Sequence, residues 1–363
     1  MCFTLMRGLR GRFDFGVFAV LGVEPGKVGE GFKRELDEMN VPLFTGTKIP
    51  MKLGGMFTSG RKLKAAIRSF RPDVVHLHTE IPESAYAAMA ALPFTGKAKR
   101  VPLVRTVHNT VIWVPWRKLG RWCERRMKPS HIAAVSTSAL DSYKRHRDES
   151  GAGPLPGEPI VIYNGVPEGD GVASPRLDSG ATTRVLFAGR LEPQKGADLL
   201  PEILRRVDPV DGRVNELVIF GSGSLEDRLK ALKEDPPAGW VVRVEGPVPD
   251  LRRRMKAFDL FIMPSRYEGF GLVAVEALLD GLPVVATTAP GLAEVFPQGY
   301  PFLSKPDDAD AFATALQAAL RTREQWPAAV RSGATLAREK FSVAAMCDGY
   351  ANLYTRIGRA GRP

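Results

Sequence analysis

Three groups of residues in this chain have types and spacings suited to chemistry. The first is AGRLEPQKGADLL, where Arg190 and Lys195 flank a turn between an apolar run and a helical pattern. Two cations beside the free N–H groups of a helix start suit a diphosphate; the plain structural alternative is that both neutralise nearby carboxylates. The second is PSRYEGFGLVAVEALLDGLPVVAT. There Glu268 lies in a loop, Gly269 and Gly271 flank Phe270 so that backbone can approach a ligand, and Glu276 falls on the second turn of the helix that follows. An unpaired carboxylate on a largely buried helix is costly, and two carboxylates bracketing a Gly-rich turn suit the paired hydroxyls of a sugar or ribose. Either glutamate alone reads equally well as an exposed charge or a helix-terminal carboxylate. The third group is histidine: His76 and His78 in DVVHLH, and His108 at the end of VPLVRTVHN. By residue type His76 reads as a core histidine, while His78 and His108 stand evenly between core and site.

These residues need elements to hold them. In the second half, short apolar runs at 184–188, 216–220, 240–245, 259–265 and 283–288 alternate with helical patterns. That alternation predicts βαβ units and a parallel sheet covered on both faces. The first half repeats the plan, with strands expected at 13–22, 73–78, 101–109, 131–138 and 160–166 and a basic helix at 61–70. The Gly, Pro, Ser and Asp of EGDGVASPRLDSG mark a linker. The fold class is therefore α/β, with two doubly wound Rossmann-like domains facing a cleft: residues 1–166, residues 167–345, and a closing helix over 346–363 that returns towards the first domain. Ligands of such sheets bind beyond the carboxyl ends of the strands, where all three groups lie.

The chain has 363 residues, 44% hydrophobic and 25% charged, an ordinary globular composition. No apolar run reaches the ~18 residues of a membrane span, and MCFTLMRGLRGRF lacks the apolar block of a signal peptide. Three scattered cysteines argue against a disulfide framework or a zinc site and point to the reducing cytoplasm. Charge is uneven. Residues 1–166 hold 26 Lys+Arg against 14 Asp+Glu, whereas residues 167–363 hold 25 against 26. A basic half implies an anionic partner. Nucleic acid is disfavoured because interleaved aromatics and any recognised module are missing, leaving an acidic substrate or an anionic membrane surface. The basic clusters are Arg61-Lys62-Lys64, Lys97-Lys99-Arg100, Arg117-Lys118 and Arg121-Arg125-Arg126-Lys128; on them rests the expectation of peripheral attachment at the inner membrane face.

The block Glu268-x7-Glu276 within EGFGLVAVE, together with GRLEPQKG, resembles the donor-site signature of retaining GT-B glycosyltransferases, family 4 (glycosyl transferases group 1). VIYNGV, VIFGSGS, VEGPVPD, PDVVHLH and FSVAAMCDGYANLY add to the resemblance, which covers roughly residues 5–356. It implies a nucleotide-diphosphate sugar as co-substrate, with no other cofactor and no metal, and a glycan, lipid-linked or small-molecule acceptor. Arg190 and Lys195 would bind the diphosphate, Glu268 the donor sugar, and Glu276 the ribose. Gly269, Phe270, Gly271 and Leu272 would offer main-chain groups, and the stretch Val244 to Gly246 would flank the base. His108 would be directed into the cleft beside the anomeric carbon, with His78 and Asn109 on the acceptor side. Asp307-Asp308-Ala309-Asp310 reads as helix capping rather than a metal motif.

Two other readings compete: a nucleotide-sugar-binding protein with impaired catalysis, and a sugar-nucleotide epimerase of the same architecture. The first is motivated by the opening residues. Relative to the family pattern, residues 1–10 resemble the tail of a helix whose preceding strand and glycine-rich loop are absent, which sets the expectation of a functional polypeptide beginning about 20–25 residues upstream.

Overall fold

A computed structural model describes residues 1–92, 101–114, 116–127, 130–169, 175–177 and 180–360. It divides into two compact units, Met1–Gly165 with Val343–Pro363, and Val166–Ser342. The sequence places these breaks after 166 and 345.

The first unit runs α1 (Cys2–Gly8), β1 (Val17–Ala19), α2 (Lys27–Glu38), β2 (Leu43–Thr45), α3 (Gly55–Phe70), β3 (Val75–His78), α4 (Glu80–Ala91), β4 (Leu103–Val107), α5 (Arg117–Arg126), β5 (Ser130–Ala134), α6 (Thr137–Ser150) and β6 (Ile160–Val161). Strands β3, β4, β5 and β6 form one parallel sheet in that order, and β1 and β2 form a separate parallel pair. The expected strand over 13–22 shrinks to Val17–Ala19, and the single sheet read from sequence is two sheets. Helix α2 was not expected; its KVGEGFKRELDE buries little besides Leu36, so its apolar stripe is too thin to read. Opening residues 1–10 are indeed helical over α1. Strand β3 alternates: Val75 and Leu77 enter a core with Leu63, Ile67, Tyr86 and Met89, while His76 and His78 take the other face. Strand β4 is buried throughout, as a strand covered on both faces must be.

The second unit runs β7 (Thr182–Ala188), α7 (Leu200–Arg205), β8 (Val214–Phe220), α8 (Glu226–Glu234), β9 (Trp240–Glu245), α9 (Leu251–Met255), β10 (Leu260–Met263), α10 (Leu272–Leu279), β11 (Val284–Thr287), β12 (Leu303–Ser304), α11 (Ala309–Arg321) and α12 (Trp326–Lys340). Its one sheet has the order β12-β11-β10-β7-β8-β9, every pair parallel. Neighbours β7 and β10 are far apart in sequence, and the order reverses between them: this is the switch point where such sheets open a crevice. Asp259 pins that junction. Its N–H donates to Arg184 O and its Oδ2 accepts from Arg184 N, both at 2.8 Å. Asp308 caps α11 by accepting from Ala311 N at 2.8 Å.

The last helix, α13 (Val343–Ala360), belongs to the first unit. Met346, Tyr350, Leu353, Tyr354 and Ile357 repeat at helical spacing and bury against Leu5, Leu9, Val104 and Ala133.

Candidate active site

In the second unit the loops after β7 and β10 meet beside the switch point. Gly196 permits the contact: its φ is +67°, and a Cβ there would stand 2.0 Å from Pro264 O. Lys195 Nζ donates to Glu268 Oε1 at 2.6 Å, and Ser265 Oγ donates to the same oxygen at 2.9 Å. Glu268 is 5% exposed, so this ion pair is held in a poorly solvated place. Arg266 makes the two loops one piece. Its guanidinium donates to Asp198 Oδ1 and Oδ2 at 2.7 and 2.9 Å and to Asp307 Oδ1 at 2.6 Å, and its N–H donates to Gln194 O at 2.9 Å. Arg190 donates to Gln194 Oε1 in the same loop. Sequence reading passed over Arg266; the one signal was its place two residues before Glu268.

Helix α10 starts where these loops end. Gly271, at φ +97°, caps it, and the first intrahelical bond runs from Ala274 N to Gly271 O at 3.0 Å. The N–H groups of Leu272 and Val273 therefore precede the hydrogen-bonded ladder. Phe270 is buried edge-on against Phe341, ring centroids 4.8 Å apart, so its side chain is not open to a ligand. Burial pushes the Glu276 carboxyl up, Arg252 pulls it down and Asp280 pushes it up again. The Arg252 guanidinium is already bidentate to Asp280, at 2.6 and 2.8 Å. Glu276 itself makes no side-chain hydrogen bond among the described residues. Gly246 stands just beyond β9, an exposed position at the sheet edge; with strands ~4.8 Å apart it is roughly 14 Å from the axis of β10. The structure thus gathers Lys195, Glu268 and the start of α10, with Arg190 beside them, and leaves Gly246 at the far end of the same carboxyl edge.

The first unit holds the histidines. His76 has both ring nitrogens occupied: Nδ1 lies 2.6 Å from Tyr354 OH, and Nε2 lies 2.7 Å from Thr106 Oγ1, which in turn lies 2.9 Å from Tyr350 OH. The His76 and His78 rings are in contact, tilted at 38° with centroids 3.9 Å apart. His78 Nδ1 is 3.0 Å from His108 Nε2. Burial pushes proton affinity down at all three: His76 to about 3, His108 to about 4, and His78 well below its ordinary value, with repulsion from its two neighbours adding to the effect. The cluster is neutral at pH 7. His108 and Asn109 line a cavity of about 160 Å³ shared with Thr79, Glu83, Arg105 and Trp113. Thr106, Tyr350 and Tyr354 escaped the sequence reading, although the Tyr-x3-Tyr spacing in GYANLY puts two hydroxyls on one helix face.

In and behind the wall of that cavity the charges are paired. Arg105, 1% exposed, meets Glu83 at 2.9 Å and Glu124 at 2.8 Å, and Glu124 also pairs with Arg147 and accepts from Tyr143 OH at 2.7 Å. Two cations and two carboxylates cancel.

Comparison with known proteins bears on the family and the fold. Residues 2–169 match the family described as Glycosyltransferase Family 4, and residues 177–333 match Glycosyl transferases group 1. A glycogen synthase of Mycobacterium tuberculosis is 31% identical over 308 residues, spanning 79% of this chain and 69% of that one. A D-inositol 3-phosphate glycosyltransferase of Catenulispora acidiphila is 29% identical over 301 residues, 75% of this chain and 66% of that one. The crystal structure of Anabaena Alr3699/HepE in complex with UDP and glucose superposes with a TM-score of 0.74 at 21% identity, over 98% of this chain and 95% of that one. The two Rossmann-like units, the loop pair at the switch point and these matches together make the chain a group 1 glycosyltransferase of the GT-B fold.

Proposed function

We propose that the chain transfers a hexosyl-type sugar from a UDP-sugar to a glycan or lipid-linked acceptor, with retention of configuration and without a metal. The observation that carries the donor assignment is the Lys195–Glu268 pair, held by Arg266 at the switch point and at the N-terminus of α10. In the transfer, the bond from the anomeric carbon to the diphosphate oxygen breaks and a bond to the acceptor oxygen forms on the same face. The acceptor proton passes to the departing phosphate. Negative charge grows on the leaving diphosphate, and Lys195, Arg190 and the N–H groups at the start of α10 meet it without reorganising. Glu268 holds hydroxyls of the sugar. Glu276, a half-buried carboxylate in need of donors, takes those of the ribose. The neutral ring of His108 contacts the reacting sugar, and His78 and Asn109 border the acceptor. UDP is favoured among nucleotides by its presence in the complexes of HepE.

A peripheral position at the inner membrane face fits α5. Arg117, Lys118, Arg121 and Arg125 are exposed along it, and Val114 and Trp116 just before it are 57% and 43% exposed. Cations with an aromatic at the edge suit an anionic lipid surface. Lys97, Lys99, Arg100 and Lys128 lie outside the described residues. Among the described residues no helix is long and apolar enough to cross a membrane.

The test is Lys195→Ala, assayed by UDP release and by sugar appearing on a separate acceptor. Losing a preorganised charge at the leaving group costs about 2.7–4 kcal/mol, or a 10²–10³-fold fall in turnover. Transfer at the parental rate would overturn the assignment. Binding of UDP-sugar without release would support a binding protein, and a changed sugar still on UDP would support an epimerase. A product of inverted anomeric configuration would refute retention, and activity lost to chelator and restored by manganese would refute metal independence.

A further inference from the structure

Strand β3 gives one face to the core and the other to two histidines, and α13 covers the histidine face. The resulting chain of contacts is continuous: Tyr350 to Thr106 to His76, Tyr354 to His76, His76 in tilted ring contact with His78, and His78 to His108. We propose that Tyr350 and Tyr354 are positioning residues, which act through His76 and His78 to select the ring nitrogen of His108 that carries the proton. This rests on the reading of His108 as the imidazole that meets the sugar.

The argument is one of hydrogen counting. Between two neutral rings, a nitrogen-to-nitrogen contact of 3.0 Å holds a single proton. If His78 Nδ1–H donates, His108 Nε2 accepts, and His108 Nδ1 bears hydrogen and presents a donor. If His108 Nε2–H donates, its Nδ1 is bare and presents an acceptor. A substrate hydroxyl meets opposite chemistry in the two cases. The tautomer of His78 decides between them, and His78 is in ring contact with His76, both of whose nitrogens are engaged by hydroxyls. His76 must donate to one hydroxyl and accept from the other. The dipole of a neutral imidazole turns with its tautomer, and across 3.9 Å of poorly solvated space each ring biases its neighbour. A tyrosine hydroxyl more than 240 residues away in sequence thereby sets what His108 offers.

The experiment uses the full chain with histidine labelled by nitrogen-15. Long-range proton–nitrogen spectra near neutral pH report which nitrogen of each ring is protonated, and five histidines make them assignable; His131 and His146 serve as internal controls. The parent is expected to show one tautomer at His108. Tyr354→Phe retains the ring against His76 and Phe13 but removes the hydroxyl, and Thr106→Val cuts the other branch. In each, His108 should shift to a mixture of tautomers, the controls should not move, and kcat should fall about tenfold at unchanged KM for the UDP-sugar. If Thr106→Val does not fold, Tyr350→Phe replaces it. An unchanged His108 spectrum in the folded variants overturns the proposal. Should the parent show no turnover, the function proposed above fails on its own, and the tautomer spectra still decide this inference.

Discussion

The two halves of the molecule prepare opposite kinds of site. In Val166–Ser342 the carboxyl edge of a single six-stranded sheet carries charge at the ends of its loops: Lys195 against Glu268, and Arg266 against Asp198 and Asp307. In the first unit the charges are paired off within the buried set Arg105, Arg147, Glu83 and Glu124, and the groups linked to His108 are histidines, tyrosines and a threonine. On the function proposed above, the difference assigns each half its own share of the work. A site for a diphosphate must present fixed charge. An acceptor hydroxyl is better served by neutral donors and acceptors, which do not hold a full shell of water.

The neutral side of this contrast is the easiest to break, by acid. Folded His76, His78 and His108 bind protons less well than unfolded histidine, whose pKa is near 6.5. Unfolded chain therefore takes up more protons as pH falls. The stability that the neutral cluster contributes is fully present above pH 6.5 and is lost as pH falls towards about 4 and then 3. Each tenfold loss of proton affinity is worth about 1.4 kcal/mol, so the three residues together should remove several kcal/mol. Denaturant melts at pH 7 and pH 4.5 measure this, and a His76→Gln chain should show a smaller fall.

The withdrawn charges come next. Glu124→Ala leaves Arg105 short of one partner and Arg147 without its carboxylate in a buried place, at a cost of about 3–5 kcal/mol. The same melts would show it, and a loss below about 1 kcal/mol would mean that water reaches the network.

On the charged side, Glu276→Gln sharpens the comparison without touching the fold. A charge-assisted hydrogen bond to ribose is worth about 1.5–3 kcal/mol, so UDP affinity by calorimetry should fall roughly ten- to hundredfold. Because burial raises this carboxyl's pKa, UDP binding by the parent should also weaken as pH falls through the acid range, and the Gln variant should lose that dependence.

The smallest effect is expected at α5. Each exposed cation contributes about 1 kcal/mol to binding an anionic surface at low salt. Reversing Arg117 and Arg121 should reduce pelleting with anionic vesicles and leave sugar transfer to a soluble acceptor unchanged. Equal pelleting with neutral and anionic vesicles would remove the electrostatic case.

The sequence by itself determined the local and periodic facts. Apolar runs alternating with helical patterns specified parallel α/β units, because the periods of strand and helix are imposed by backbone geometry on neighbouring residues. Glu268-x7-Glu276 and the Arg190–Lys195 loop were legible for the same reason: each lies within one short segment, where spacing along the chain fixes spacing in space. Tertiary structure alone decided the rest. It set Lys195 on Glu268 across 73 residues, locked both loops with Arg266, and divided the first unit's strands into two sheets. It buried His76 between Thr106 and two tyrosines of α13. Contacts between neutral hydroxyls and imidazoles leave no charge pattern and no period in the chain; they exist only once packing has closed loops of tens to hundreds of residues and removed the water that would otherwise satisfy the same groups.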